Sequence, residues 1–324
     1  MFQDTFKAHI LFKTCRALPI TCFMRRINYC LLLCLMCVSA MKCVAQNAGS
    51  LSVGLSPGYR NDLLTWSIAG TLDGTDPNIY SELQWTGLQS VGLNFDGNYQ
   101  LTNRIILKAA ALKARIVAGK VSDYDYQEDN RQYESFAGLF DADKGSMVDI
   151  NAAIGYQLIK KESIILNLYA GYGLSRQNLF LRDNKGVYNA QLNSTYDTKW
   201  QGALASAEAV FNLTGRFYLA PSFTYHQLKY NAKGNWNMIP DFEHPVSYRH
   251  NANGFAVVPA LRIGYQFNNR LQFNINANYH YYETGKGIDM LYLTNGQRPK
   301  TQLNGVNFQG YMLSAGINYR IINK

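Results

Sequence analysis

The sequence predicts an all-β protein: a transmembrane antiparallel up-and-down β-barrel of about ten strands, with long extracellular loops and short periplasmic turns. Three observations point there. In residues 271–281, Leu271, Phe273, Ile275, Ala277, Tyr279 and Tyr281 alternate with Gln272, Asn274, Asn276, Asn278 and His280. An extended chain turns successive side chains to opposite faces, so this segment has one apolar and one amide-rich face over roughly 35 Å, at about 3.3 Å per residue. An amide-lined face is a poor core for a soluble sandwich, but it suits a wet lumen whose other side meets lipid. The second observation is that tight and long connectors alternate along the chain, and the third is a secretory leader.

The leader comes first in the chain. Arg25 and Arg26 precede the apolar run Leu31-Leu32-Leu33-Cys34-Leu35-Met36-Cys37-Val38, and small residues close it at Cys43-Val44-Ala45. That is the pattern of a signal peptide cleaved before Gln46, with Met24 as the expected true start, so 1–45 reads as leader and 46–324 as the barrel domain. Lys42 before Cys43 excludes a lipoprotein signal. All six cysteines, at 15, 22, 30, 34, 37 and 43, fall in the leader, so disulfides, thiolate metal sites and cysteine nucleophiles are excluded from the rest. Removing it leaves 25 of 31 basic and 21 of 22 acidic residues, which lowers the formal charge from +9 to +4. This gives no case for nucleic acid. Beyond the leader no apolar run is long enough for a membrane helix.

Strands are predicted at 59–71, 80–98, 103–122, 146–159, 163–182, 198–213, 216–231, 253–268, 270–283 and 307–321. Alternation is clearest in the fifth, where Ile164, Leu166, Leu168, Ala170, Tyr172 and Leu174 oppose Asn167, Tyr169, Gly171, Gly173 and Ser175. The last agrees, with Tyr311, Leu313, Ala315, Ile317, Tyr319 and Ile321 opposing Ser314, Gly316, Asn318 and Arg320. The third is ambiguous, because its alanine run at 109–111 with Lys108, Lys113 and Arg115 does not fix an inner face. Tight connectors are expected at 98–103, 160–162, 213–215 and 268–269, and polar loops at 72–79, 123–145, 183–197, 232–252 and 284–306. Abundant Tyr and Phe fit aromatic girdles at the lipid headgroups.

Two clusters carry candidate chemistry. Asp123 and Asp125 share parity, so a continuing strand places both carboxylates on one face, where mutual repulsion raises one pKa and the pair can hold a proton and a water. Asp241, Glu243 and His244 lie in a later loop, with His250 beyond, and a histidine beside a carboxylate is a general base at physiological pH. In a ten-strand barrel these clusters face each other across the mouth. No metal site is expected: the start at Asp141-Ala142-Asp143 has Ala152 where a calcium loop needs its closing glutamate. Gly171-Tyr172-Gly173 interrupts a strand and precedes no helix, which excludes a nucleotide loop.

Short motifs resemble the omptins, ten-stranded outer-membrane endopeptidases. Ser81-Glu82-Leu83-Gln84-Trp85 resembles their Ser-x-Leu-x-Trp segment, and Ala170-Gly171-Tyr172-Gly173-Leu174-Ser175-Arg176 resembles Ala-Gly-Tyr-x-x-Ser-Arg. Tyr279 to Gly287 resembles the ninth strand and its Lys-Gly loop, and Trp236 through Pro245 is similar to Protochlamydia-type outer-membrane proteins, a set discussed as porins. The resemblance implies a water held between Asp123 and Asp125 on one rim and activated by His244 on the other, with Asp241 or Glu243 orienting the ring. Omptins use Asp-x-His there, and this chain has Phe242 at that acid position. It also implies lipopolysaccharide contacts at Tyr172, Arg176 and Lys199, no cofactor beyond that lipid as a possible requirement for activity, and basic peptides or surface proteins as partners. The expected location is the outer membrane of a diderm bacterium. The expected alternative is a non-catalytic omptin-related barrel acting as a narrow porin or surface interaction protein.

Overall fold

A computed structural model describes residues 48–213 and 215–322, so the leader and its cleavage site lie outside the described residues. Those residues form twelve strands: β1 Leu51–Ile68, β2 Ser81–Gln100, β3 Ile105–Glu128, β4 Gln132–Asp141, β5 Gly145–Lys160, β6 Ile164–Arg182, β7 Asn193–Asn212, β8 Phe217–Asn235, β9 Tyr248–Gln266, β10 Leu271–Thr284, β11 Gly287–Leu291 and β12 Lys300–Ile322. Every pairing is antiparallel, and β12 returns to pair with β1 from Leu51↔Ile322 to Ile68↔Leu303, which closes the barrel and removes its sheet edges there. Two staves of the wall consist of two pieces each. β4 sits above β5 beside β3, and β11 sits above β10 between β9 and β12, so twelve strands make a ten-stave wall.

The expected tight turns are found at 101–104, 161–163, 213–216 and 267–270. The expected loops are corrected: 123–145, 232–252 and 284–306 are largely strand, because β3, β8, β9 and β12 run well past the lipid.

The outward faces define the lipid band. On β12, Ile321, Tyr319, Ile317, Leu313 and Tyr311 are exposed over eleven residues, the span of a tilted membrane strand, and Gln309 and Asn307 follow above them. Neighbouring staves agree on the upper limit, with Tyr59 below Asn61, Tyr279 and Tyr281 below Glu283, and Tyr225 below Gln227 and Lys229. On β3, Leu107, Ala109 and Ala111 face out within the band, while Lys113 and Arg115 face out at its top, which resolves the ambiguous strand.

Inside the band the lumen is polar, as the alternation of 271–281 requires. Arg60 Nη1 lies 2.7 Å from Asp149 Oδ2 and its Nη2 3.1 Å from Asp62 Oδ1, while His280 Nε2 is 2.7 Å from Asp62 Oδ1. Lower down, Lys108 Nζ is 3.2 Å from Glu208 Oε2, and Asn274, Asn276 and Asn318 exchange amide hydrogen bonds. Lumen cavities of about 180 and 170 Å³ lie among these groups. Above them the interior changes character. Leu64, Trp66, Leu83, Trp85, Tyr196, Trp200, Tyr230, Tyr248, Tyr282 and Phe308 pack into one buried layer drawn from staves around the wall, with Trp85 stacked on Tyr196 at 5.3 Å and Trp200 tilted on Tyr230 at 4.3 Å. Tyr282 both belongs to this layer and lines the upper lumen cavity, so the layer sits directly on the polar lumen.

Candidate functional site

β3 holds Asp123 and Asp125 on a regular strand. Asp123 lies opposite Leu83 on one side and Gly138 on the other, and Asp125 opposite Ser81 and Phe136. Leu83 is buried in the aromatic layer, so the parity shared by the two acids turns both toward the interior above the lipid band. Burial raises the Asp123 carboxyl to about 8, with the nearby Asp125 charge adding to the effect. Burial also raises Asp125, and a hydrogen bond from Ser81 partly offsets it. Burial, more than the mutual repulsion expected from their spacing, is what raises both carboxyls.

The opposite rim is not organised around the expected histidine. His244 is exposed in the connector between β8 and β9, and its Nδ1 lies 2.8 Å from Asn235 Oδ1. Glu243 is engaged by Arg298 at 2.6 Å, and Asp241 is tied down through its backbone carbonyl, which accepts from Thr294 N–H. Neither acid orients the His244 ring. The histidine that enters the interior is His250 on β9, fully buried, with Nδ1 2.8 Å from the Tyr196 hydroxyl and Nε2 3.2 Å from Asp289 Oδ1. β11 makes this contact, since its register sets Asp289 directly opposite His250, and Thr301 Oγ1 donates to the same carboxylate. Reasoning from sequence missed Asp289 altogether. The signal for His250 was present, because Tyr248, His250, Ala252 and Gly254 alternate with Arg249, Asn251 and Asn253, but the strand was taken to begin at 253.

The two rims meet through Tyr248. Burial pushes its hydroxyl well above the ordinary range, and the charges of Asp289 and Asp123 push it further, so both acids lie within electrostatic reach of one ring. Trp66 packs edge-on against His250 at 4.9 Å and lies 6.0 Å from Tyr248. Within this cluster Trp66 Nε1, the Tyr248 hydroxyl and His250 Nε2 make no hydrogen bond among the described residues; the 3.2 Å approach of Asp289 is an ion-pair distance without hydrogen-bond alignment. Three buried polar atoms without partners in one place are unusual, and such a set binds water or a polar substrate group.

The expected lipid contacts lie on the outer wall. Tyr172 and Arg176 face outward on β6, and Lys199 on β7 is the register partner of Arg176. Tyr172 is at the top of the apolar band and the two cations stand just above it, where neither makes an ion pair among the described residues. A separate cavity of about 500 Å³ lies above the band and is lined by Thr65, Gln84, Tyr124, Glu283 and Asn307; neither Asp123 nor His250 reaches it.

Comparison with known proteins agrees with this architecture. The outer membrane protease OmpT from Escherichia coli superposes with a TM-score of 0.67 at 13% identity, covering 87% of this chain and 99% of that one. The outer membrane protein OprG from Pseudomonas aeruginosa gives 0.35 at 10% identity, covering 86% and 99%, and the translocator domain of the autotransporter NalP from Neisseria meningitidis gives 0.40 at 9%, covering 93% and 97%. No curated protein matches the sequence. The likeness to OmpT is one of fold. The family model described as Protochlamydia outer membrane protein matches residues 54–321, and the chain belongs to that outer-membrane family.

Proposed function

We propose that this barrel is an omptin-like outer-membrane endopeptidase whose water is held by Asp123 and Asp125 and deprotonated by a dyad of His250 and Asp289, in place of the expected His244 with Asp241 or Glu243. The observation that carries this reading is the convergence of a high-pKa carboxyl, a carboxylate-backed histidine and three unpartnered polar atoms at one level of the barrel mouth. In this mechanism Asp123 orients the water, and Asp125 keeps the couple from ionising fully. In that step Tyr196 fixes the ring by accepting from Nδ1–H, the water's proton goes to Nε2, and the Asp289 charge beside it stabilises the imidazolium that forms. Trp66 and Tyr248 cover the dyad, so a peptide reaches it only when those rings swing aside, which implies slow turnover. Tyr172, Arg176 and Lys199 hold lipopolysaccharide against the outer wall, with the two cations at its phosphates.

The test is cleavage of quenched peptides with paired basic residues by protein refolded in detergent with lipopolysaccharide. His250→Ala, Asp123→Asn and Asp289→Asn should each lower the rate by about 100-fold or more, the scale of a general acid or base, while His244→Ala leaves it near wild type. Equal cleavage by all variants, or none by wild type, removes the protease.

The full burial of His250 favours a second reading, a closed surface barrel without catalysis. In either case the aromatic layer argues against a porin, and planar bilayers should record no single-channel steps from the wild-type protein.

A further inference from the structure

Most backbone groups of this barrel are paired on both sides, but β4 is not. It pairs with β3 along its length, from Lys120↔Asp141 to Glu128↔Gln132, whereas on its other side the sole ladder partner is Asp141↔Arg182 of β6. In a strand the N–H and C=O of one residue point the same way, and the direction alternates along the chain. Asp141 bonds toward β6, so Leu139 and Ala137 turn their backbone groups to that side too. The Tyr188 hydroxyl, which reaches the Ala137 carbonyl at 3.5 Å, marks the same direction. Above the Asp141 bridge, therefore, a short edge with no further ladder partner among the described residues runs up the extracellular rim, with the Ala137 carbonyl taken up by Tyr188.

Apolar side chains stand open along this edge. Leu139 is 65% exposed and Tyr133 69%, and across the opening Val187 is 73% exposed. No proline or lysine lies within β4. Tyr133 also has a φ of 51°, in the left-handed region that is strained for a bulky residue, and strain of this kind collects at functional sites. The charge at the upper end of this edge is acidic: Glu128 and Glu134 are exposed and make no ion pair among the described residues, and Asp129 stands beside them, while Lys185 stands at the lower end near Asp141. A second copy of the chain pairing here would bring these acids against each other. A basic chain would not.

We propose that β4 is a docking edge for an extended polypeptide segment in which basic and apolar side chains alternate, added as one more strand along Ala137 and Leu139. Main-chain hydrogen bonds supply the attachment, Leu139 and Val187 take the apolar side chains, and Glu128, Asp129 and Glu134 take the basic ones. This binding does not depend on catalysis.

The test uses the full chain in detergent and a capped octapeptide of alternating lysine and valine, with amide hydrogen exchange and fluorescence anisotropy as readouts. Binding should slow exchange at Ala137 and Leu139. Methylating alternate peptide nitrogens should weaken binding about tenfold or more, since the edge hydrogen bonds can no longer form. Ala137→Pro should do the same, because the lost N–H faces away from β3 and the wall ladder is untouched. If that variant fails to fold, the methylated peptide on wild type decides alone. Equal binding of the methylated peptide, no protection at Ala137 and Leu139, or equal binding of a glutamate-valine octapeptide would overturn the proposal.

Discussion

The lower and upper halves of this barrel use the same alternation with opposite chemistry. Within the lipid band β1 turns Val53 and Leu55 outward and Ser56, Arg60 and Asp62 inward; a few residues on, the same parity puts Thr65 and Ser67 outward and Leu64 and Trp66 inward. β12 repeats this, with Leu313 and Ile317 out and Ser314 and Asn318 in below, then Asn307 out and Phe308 in above. The wall does not change. What changes is the solvent outside it: lipid requires an apolar exterior and tolerates a wet lumen, whereas above the membrane water is outside and apolar side chains gather within. The barrel is therefore an inside-out protein set end to end with an ordinary one, and the candidate site lies in the second.

Substitutions in the two halves test that division. The largest effects should come from their centres. Trp200→Ala removes a fully buried ring from the aromatic layer and should cost about 3–5 kcal/mol in urea unfolding from lipid vesicles. Arg60→Ala should cost a similar amount, about 3–5 kcal/mol, for a different reason, since it leaves Asp62 and Asp149 without their shared cation. Next comes the outer wall. Ile317→Arg near mid-band should cost about 2–4 kcal/mol, while Asn307→Arg above the band should stay within about 0.5 kcal/mol. Equal costs at the two positions would erase the division.

The smallest effect sharpens the account of the upper half. The Asp123 carboxyl is raised to about 8 in the folded barrel, against about 3.9 for an ordinary aspartate. Between those values the folded state binds more protons than the unfolded one, so this group makes the protein less stable as pH rises from about 4 to about 8. Asp123→Asn should therefore raise the melting temperature by a few degrees at pH 8 and leave it unchanged near pH 4. A variant that melts lower at both values would mean that Asp123 is held as a paired carboxylate.

The inversion also explains what was legible in the sequence. The band was readable because outward apolar and inward amide residues alternate over long runs, as in 271–281, and the tight turns were readable from their turn formers and charge. Above the band the polar residues swap faces, so a continuing strand reads as a break in pattern, and β4, β11 and the upper parts of β3, β8, β9 and β12 read as loops in the sequence. The site suffered from the same error. That Asp123 and Asp125 share a face follows from parity alone, but His250 falls in an expected loop, and nothing local to Asp289 signals that register brings it opposite that ring. His244, next to two acids in sequence, was the nearer choice, and in the folded chain it bonds Asn235.

Since residues 46–324 contain no native cysteine, single cysteines can be placed at will along β12 and carry nitroxide spin labels in lipid vesicles. Collision with oxygen and with a water-soluble nickel complex measures the central claim directly. Labels at Leu313 and Ile317 should be relaxed by oxygen, a label at Asn307 by nickel, and one at Phe308 by neither. If Asn307 is as oxygen-accessible as Leu313, or if Phe308 is open to nickel, the polarity of the wall does not invert above the membrane and the account is wrong.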